Sequence, residues 1–95
     1  MSQIDQVREM LKNGAKIIDV RTPNEYASES YPGSINIPLD QLQSRIDELG
    51  EKDAPLVLHC QAGGRSEQAR QFLMSQGFTN LINAGGIDDM RALDE

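Results

Sequence analysis

The sequence predicts an α/β domain, a mainly parallel sheet with helices on both faces. Short β-branched or apolar runs alternate with stretches of helical periodicity along the whole chain. Strands separated in this way by helices pair in parallel, because each crossover needs a helix's length of chain. Ninety-five residues, 38% apolar and 25% charged, suit one ordinary globular core and leave no room for a second.

The elements follow in order. Ile4, Val7 and Leu11 form one apolar helical face, and Gly14 can close that helix. Ile17-Ile18-Asp19-Val20 reads as a buried strand. Thr22-Pro23-Asn24-Glu25 starts a helix: Thr22 is the N-cap, Pro23 takes the first helical position and Glu25 completes a capping box. Tyr31-Pro32-Gly33 is a turn, and Ser34-Ile35-Asn36-Ile37 alternates like a strand until Pro38. Asp40, with Gln43, is expected to cap a helix carrying Leu42, Ile46 and Leu49 to Gly50. Leu56-Val57-Leu58 is a second buried strand. The helix from Ser66 to Gln76 buries Ala69, Phe72 and Leu73, with Gly77 and Phe78 forming a Schellman-type end. A last strand near Thr79–Ile82 leads through Gly85-Gly86 into a final helical turn.

Charge and composition narrow the function. A net charge of -6 disfavours nucleic acid and anionic membrane surfaces, so neither is expected as a partner. One cysteine excludes an internal disulfide, a two-cysteine redox pair and a multi-cysteine zinc site. No metal and no organic cofactor is called for. Without a basic, apolar leader or a membrane-length apolar run, a cytoplasmic location is expected. The carboxylates Asp88, Asp89, Asp94 and Glu95 read as solvated surface, and Met10, Met74 and Met90 as core filler.

Cys60 stands apart. In parallel sheets ligands bind at the carboxyl ends of the strands. The Leu56–His59 strand ends at Cys60-Gln61-Ala62-Gly63-Gly64-Arg65-Ser66, where a helix begins. Two adjacent glycines let such a loop curl until its N–H groups point inward as an anion-binding nest, at which the helix dipole also aims. A thiol there loses its proton more readily than a free thiol, whose pKa is about 8.5. Cys60 is therefore the candidate nucleophile, already ionised without a general base. His59, its neighbour, should point to the opposite face of the strand and not touch the sulfur.

These residues resemble the rhodanese family of sulfurtransferases. Ile18-Asp19-Val20-Arg21 with Glu25-Tyr26, Pro32 to Pro38, Cys60 to Ser66 and Gly85-Gly86 are similar to four family signatures in the right order. The resemblance implies one rhodanese-like domain over residues 1–95, with a four- to five-stranded, mainly parallel sheet. It also implies a two-step reaction: Cys60 takes sulfur from an anionic donor such as thiosulfate, and a persulfide then passes it to cyanide, a small thiol or a protein thiol. The N–H groups from Gln61 to Arg65, through Ala62, Gly63 and Gly64, would hold the persulfide, and Arg65 would help bind the donor. Asp19, Arg21 and Glu25 look like scaffold, with Arg21 paired to an acid.

Three features depart from the family pattern. Glu29-Ser30-Tyr31 precedes the Pro-Gly turn where relatives carry Gly-His-Ile, Met90 replaces a Trp and is expected to loosen the C-terminal packing, and the loop has a single charged residue. Two other functions compete with this one. Cysteine phosphatases resemble one another in placing five residues between Cys and Arg; here only four intervene, which crowds a tetrahedral phosphate or arsenate and disfavours phosphatase or arsenate reductase activity. A non-enzymatic binding or redox-sensing module would fit better had the cysteine or the glycines been lost.

Overall fold

The computed structural model describes residues 2–95. Four parallel strands, β1 (Lys16–Asp19), β2 (Ile35–Asn36), β3 (Leu56–Cys60) and β4 (Leu81–Gly86), lie in the order β2-β1-β3-β4. Four helices accompany them: α1 (Gln3–Lys12), α2 (Pro23–Ser28), α3 (Gly64–Ser75) and α4 (Ile87–Arg91). The predicted class is the observed one.

Alternation along the central strands divides the core. Ile18, Leu56, Leu58 and Cys60 face a cluster with Ala69 and Leu73 of α3, Ile37, Leu42, Leu49 and Phe78. Ile17 and Val57 face the other side, where Val7 of α1, Ala84 and Met90 of α4 meet them. Both strand faces are therefore apolar, as a doubly covered parallel sheet demands.

Local chemistry sets the helix ends. Thr22 Oγ accepts from the Glu25 N–H at 3.2 Å while Glu25 Oε1 accepts from the Thr22 N–H at 3.1 Å, the reciprocal pair predicted for α2. After α3 the Gly77 N–H donates to Met74 O and the Phe78 N–H to Leu73 O, a Schellman ending with Gly77 at φ +96°. The end of α1 repeats it, with Gly14 at φ +89° and the Ala15 N–H bonded to Met10 O.

Four expectations need correction. The Asp40–Gly50 stretch is not one helix but two 3-10 turns, Leu39–Gln41 and Ile46–Leu49, and Asp40 caps neither. The chain enters it pinned to β1, with the Leu39 N–H bonded to Val20 O, and tight turns bury Leu42 and Leu49 as well as a helix would. The last strand runs from Leu81 to Gly86: the Thr79 N–H bonds to Lys52 O ahead of β3, Asn80 O accepts from the Leu56 N–H, and residue pairing with β3 begins at Leu81. Met74 is 53% exposed and is not core. Met90 is fully buried against Val7, Val57 and Ala84, so the loss of an aromatic ring leaves the C-terminal helix well seated.

The Glu29–Tyr31 departure also has a structural use. Glu29 pairs with Arg91, and Tyr31 Oη donates to Asp94 at 3.1 Å, so this segment fastens α2 to the C-terminal turn. No helix among the described residues is long and apolar enough to cross a membrane.

Candidate active site

β3 delivers Cys60 to the carboxyl end of the sheet, and the chain turns at once into α3. Gly63, the N-cap, makes this turn at φ +105°, a conformation costly for any residue with a Cβ. The turn folds the chain back over the sulfur: the Gly63 N–H donates to Cys60 Sγ at 3.0 Å and the Ser66 N–H at 3.4 Å. Ser66 Oγ lies 3.4 Å from the same sulfur. Cys60 is 1% exposed, so these groups replace solvent around it.

Two effects compete for the thiol proton. Burial pushes its pKa up, while the Ser66 hydroxyl and the amides of Ser66, Ala62 and Gly63 stabilise the thiolate and win. The net direction is downward, as the loop predicts.

The second glycine behaves differently from the first. Gly64 opens α3 with ordinary backbone angles, and a Cβ there would meet nothing within 4 Å. Of the adjacent pair, only Gly63 takes a left-handed conformation. The closer constraint lies elsewhere: a Cβ on Gly86 would stand 2.2 Å from Gln61 O. The end of β4 thus forms the wall against which the loop is built, through an antiparallel bridge of Gly86 with Ala62.

Asn83, on the same strand, was missed by sequence reasoning and ties this wall to the nest. Its Oδ1 accepts from the Gly85 N–H at 2.9 Å and lies 2.7 Å from Ser66 Oγ, whose single proton can turn either to it or to the sulfur, and its Nδ2 donates to Gly63 O at 3.1 Å. The Gly85 N–H can only donate, which fixes which end of the amide is oxygen. A bulge at Ala84 of β4, opposite the consecutive residues Leu58 and His59 of β3, lies directly beside Asn83. Ser66 was named only as a helix start, yet it supplies two of the groups around the sulfur. No local pattern marks either residue, since their partners come from distant chain.

Arg65 does not extend freely over the loop. Its Nη1 and Nη2 grip the two oxygens of Glu25 at 2.6 and 2.9 Å. That guanidinium, with the Thr22 N–H, holds the Glu25 carboxyl down to about 2, far below the usual range. Gln61 and Ala62 are exposed at the rim, with Gln61 Oε1 accepting from Arg21 Nη1 at 3.5 Å.

His59 points away from the sulfur, as alternation requires. Its Nδ1 faces the Cys60 carbonyl at 3.2 Å and therefore carries the ring proton. Across the strand boundary, Asp19 and Arg21 form the predicted ion pair, 0% and 1% exposed at the side chain, with Nη2 to Oδ2 at 2.7 Å. His59 Nε2 stands 3.8 Å from the same carboxylate, and burial lowers the imidazole's pKa more than Asp19 raises it. Among the described residues no cluster of His, Cys, Asp and Glu is arranged to hold a metal.

A parallel α/β sheet with a lone cysteine in an amide-lined loop at its carboxyl edge defines a class of thiolate-dependent folds. Comparison with known proteins narrows that class. The rhodanese-like domain profile matches residues 3–93. Thiosulfate sulfurtransferase PspE of Escherichia coli K12 is 40% identical over 74 residues, which cover 77% of this chain and 71% of PspE. Among solved structures, a rhodanese with anions from E. coli superposes with a TM-score of 0.76 at 39% identity, covering 80% of this chain and 91% of that one. The human single-domain sulfurtransferase TSTD1 gives a TM-score of 0.79 at 30% identity, covering 93% and 91%. The chain belongs to the rhodanese-like family of sulfurtransferases.

Proposed function

We propose that this protein moves a sulfane sulfur from thiosulfate or a similar small anionic donor to a thiophilic acceptor, cyanide or a thiol, through a persulfide on Cys60. The observation that carries the reading is the set of donors converging on Cys60 Sγ, the Gly63 N–H at 3.0 Å foremost. They favour an anionic sulfur without any neighbouring base, and family membership supplies the reaction class.

In the first step the Cys60 thiolate gives an electron pair to the outer sulfur of thiosulfate. The Sγ–S bond forms as the donor's S–S bond breaks, and sulfite departs with the bonding pair. In the second step the acceptor's carbon or sulfur attacks the outer persulfide sulfur, and Cys60 leaves as thiolate. With the acceptor attacking as its anion, cyanide or a thiolate, no proton moves in either step, which suits a site whose only imidazole faces the other way. The loop from Gln61 to Arg65 frames the donor. Its dipoles are fixed before reaction and need no reorganisation as charge shifts from one sulfur to the next.

Intact mass spectrometry after incubation with thiosulfate tests this. The wild type should gain one sulfur atom and release it to cyanide as thiocyanate, and Cys60→Ala should do neither. A wild type that gains no sulfur from thiosulfate or mercaptopyruvate would instead favour a non-catalytic module.

A further inference from the structure

We infer that Glu25 sets donor specificity, by cancelling the charge of Arg65 so that the site loads from singly charged organic sulfane donors, persulfides or thiosulfonates, in preference to dianionic thiosulfate. This rests on the sulfurtransferase reading above and concerns only which donor that site accepts.

All six arginines have a carboxylate partner: Arg8 with Asp5, Arg21 with Asp19, Arg45 with Glu48, Arg65 with Glu25, Arg70 with Glu67 and Arg91 with Glu29 and Asp88. The three lysines lie toward the wrong end of the sheet. Lys16 begins β1, in register with the first residue of β3, and Lys12 ends the helix before it. Lys52 precedes β3 and stacks on the Phe78 ring at 4.3 Å. Cys60 closes β3 at the opposite end, about 13 Å away at the usual rise per strand residue.

Arg65 is thus the only charged side chain within the loop, and its fork is filled. Both Nη atoms are committed to Glu25, whose own position is fixed by the capping box on Thr22. The carboxylate stays ionised to about pH 2, so the cancellation operates throughout any workable assay range. What remains for an incoming anion is the set of backbone dipoles, in a molecule of net charge -6. Dipoles stabilise one negative charge at the sulfur, but the long-range repulsion of the whole molecule grows with each additional charge on the donor.

Donor chemistry fits the same balance. An alkyl persulfide, R–S–S⁻, or a thiosulfonate, R–SO₂–S⁻, carries one charge. Attack by the Cys60 thiolate forms the Sγ–S bond, breaks the donor's bond to its outer sulfur, and releases a thiolate or a sulfinate with the electron pair. The electron count matches the thiosulfate reaction, with one fewer negative charge near the loop.

The test compares thiosulfate with methanethiosulfonate as donors, scoring the ratio of their kcat/KM values in one protein preparation. The ratio does not depend on how much of a variant is folded. Glu25→Gln keeps an oxygen for the Thr22 N–H and frees Arg65. It should raise the thiosulfate-to-methanethiosulfonate ratio by about fivefold, the effect of one extra donor charge near a freed guanidinium in water-like surroundings. The gain should shrink as salt is raised. In Glu25→Gln with Arg65→Gln, where neither charge remains, the ratio should return to within about twofold of wild type. An unchanged ratio in Glu25→Gln, or a raised ratio that persists in the double variant, overturns the inference while leaving the sulfurtransferase reading intact. Failure of the wild type to load sulfur from either donor would overturn that reading, and this inference with it.

Discussion

The two faces of β3 hold negative charge in opposite ways at adjacent residues. On one face the Cys60 sulfur is met by uncharged donors, the Gly63 and Ser66 N–H groups and the Ser66 hydroxyl foremost. On the other, beside His59, the Asp19 carboxylate is gripped by Arg21, whose Nε and Nη2 both donate to it. In the proposed reaction the sulfur's charge passes outward to a second sulfur, which dipoles fixed in advance can stabilise without moving. The carboxylate serves to fasten Arg21, whose Nη2 also donates to Glu29 O at 2.8 Å. One arrangement serves chemistry and the other architecture, and each predicts a different response when it is broken.

The largest effect belongs to the architectural face. Arg21→Met leaves the fully buried Asp19 carboxylate without its partner, and breaking one side of such a pair costs about 3–5 kcal/mol. Urea denaturation should show a midpoint lowered accordingly. Adding Asp19→Leu should recover much of the loss, since the uncompensated charge is then gone. If Arg21→Met unfolds no more readily than wild type, the pair is not what holds the end of β1 to the start of α2.

Ser66→Ala probes the chemical face and should act on reactivity more than on stability. The variant removes the hydroxyl near the sulfur and one bond to Asn83 while keeping the backbone amide. Because the hydroxyl stabilises the thiolate, its loss raises the Cys60 pKa toward that of an ordinary thiol. The rate of sulfur loading falls as pH drops through the folded-state pKa, so the variant should begin to lose rate at a higher pH than wild type. Below both midpoints the deficit should be about tenfold, the worth of one hydrogen bond to a charged group. A pH–rate profile with an unmoved midpoint would mean that the amides alone set the sulfur's ionisation.

How much of this was legible from sequence depends on how far apart the partners lie. Thr22 and Glu25 are three residues apart, so their capping box could be read directly, and Gly77 with Phe78 likewise disclosed the end of α3. The Cys60 loop was legible because strand, glycines and helix start are contiguous. Asn83 was not: a polar residue inside a strand has no local signature, and its partner Gly63 is 20 residues earlier. The bond between Arg65 and Glu25 spans 40 residues, so the carboxylate that holds the loop's guanidinium was out of sight of any local pattern. The continuation of β4 through Gly85 and Gly86 was hidden for a different reason. Glycine is poor strand material in general, and here it is required by the close approach of Gln61 O. For the Leu42–Leu49 stretch, the apolar spacing fits a helix and two tight turns equally well.

The smallest effect separates the two glycines of the loop. Gly64 has no positive φ and open space where a Cβ would stand, so Gly64→Ala should leave sulfur loading within about twofold of wild type. Adding a Cβ at a compatible helical position restricts the unfolded chain, so thermal unfolding should show a gain of about 0.4–1 kcal/mol. Gly63→Ala meets the opposite conditions: φ is +105° and a Cβ would press on Gly85 Cα at 3.4 Å. The amide nearest the sulfur belongs to this residue, so a shift of the turn weakens the 3.0 Å contact directly. Stability and loading should fall together in Gly63→Ala and stay uncoupled in Gly64→Ala. If both variants load sulfur at the wild-type rate, the left-handed turn is a connector, and the sulfur owes its charge to Ser66 and the start of α3.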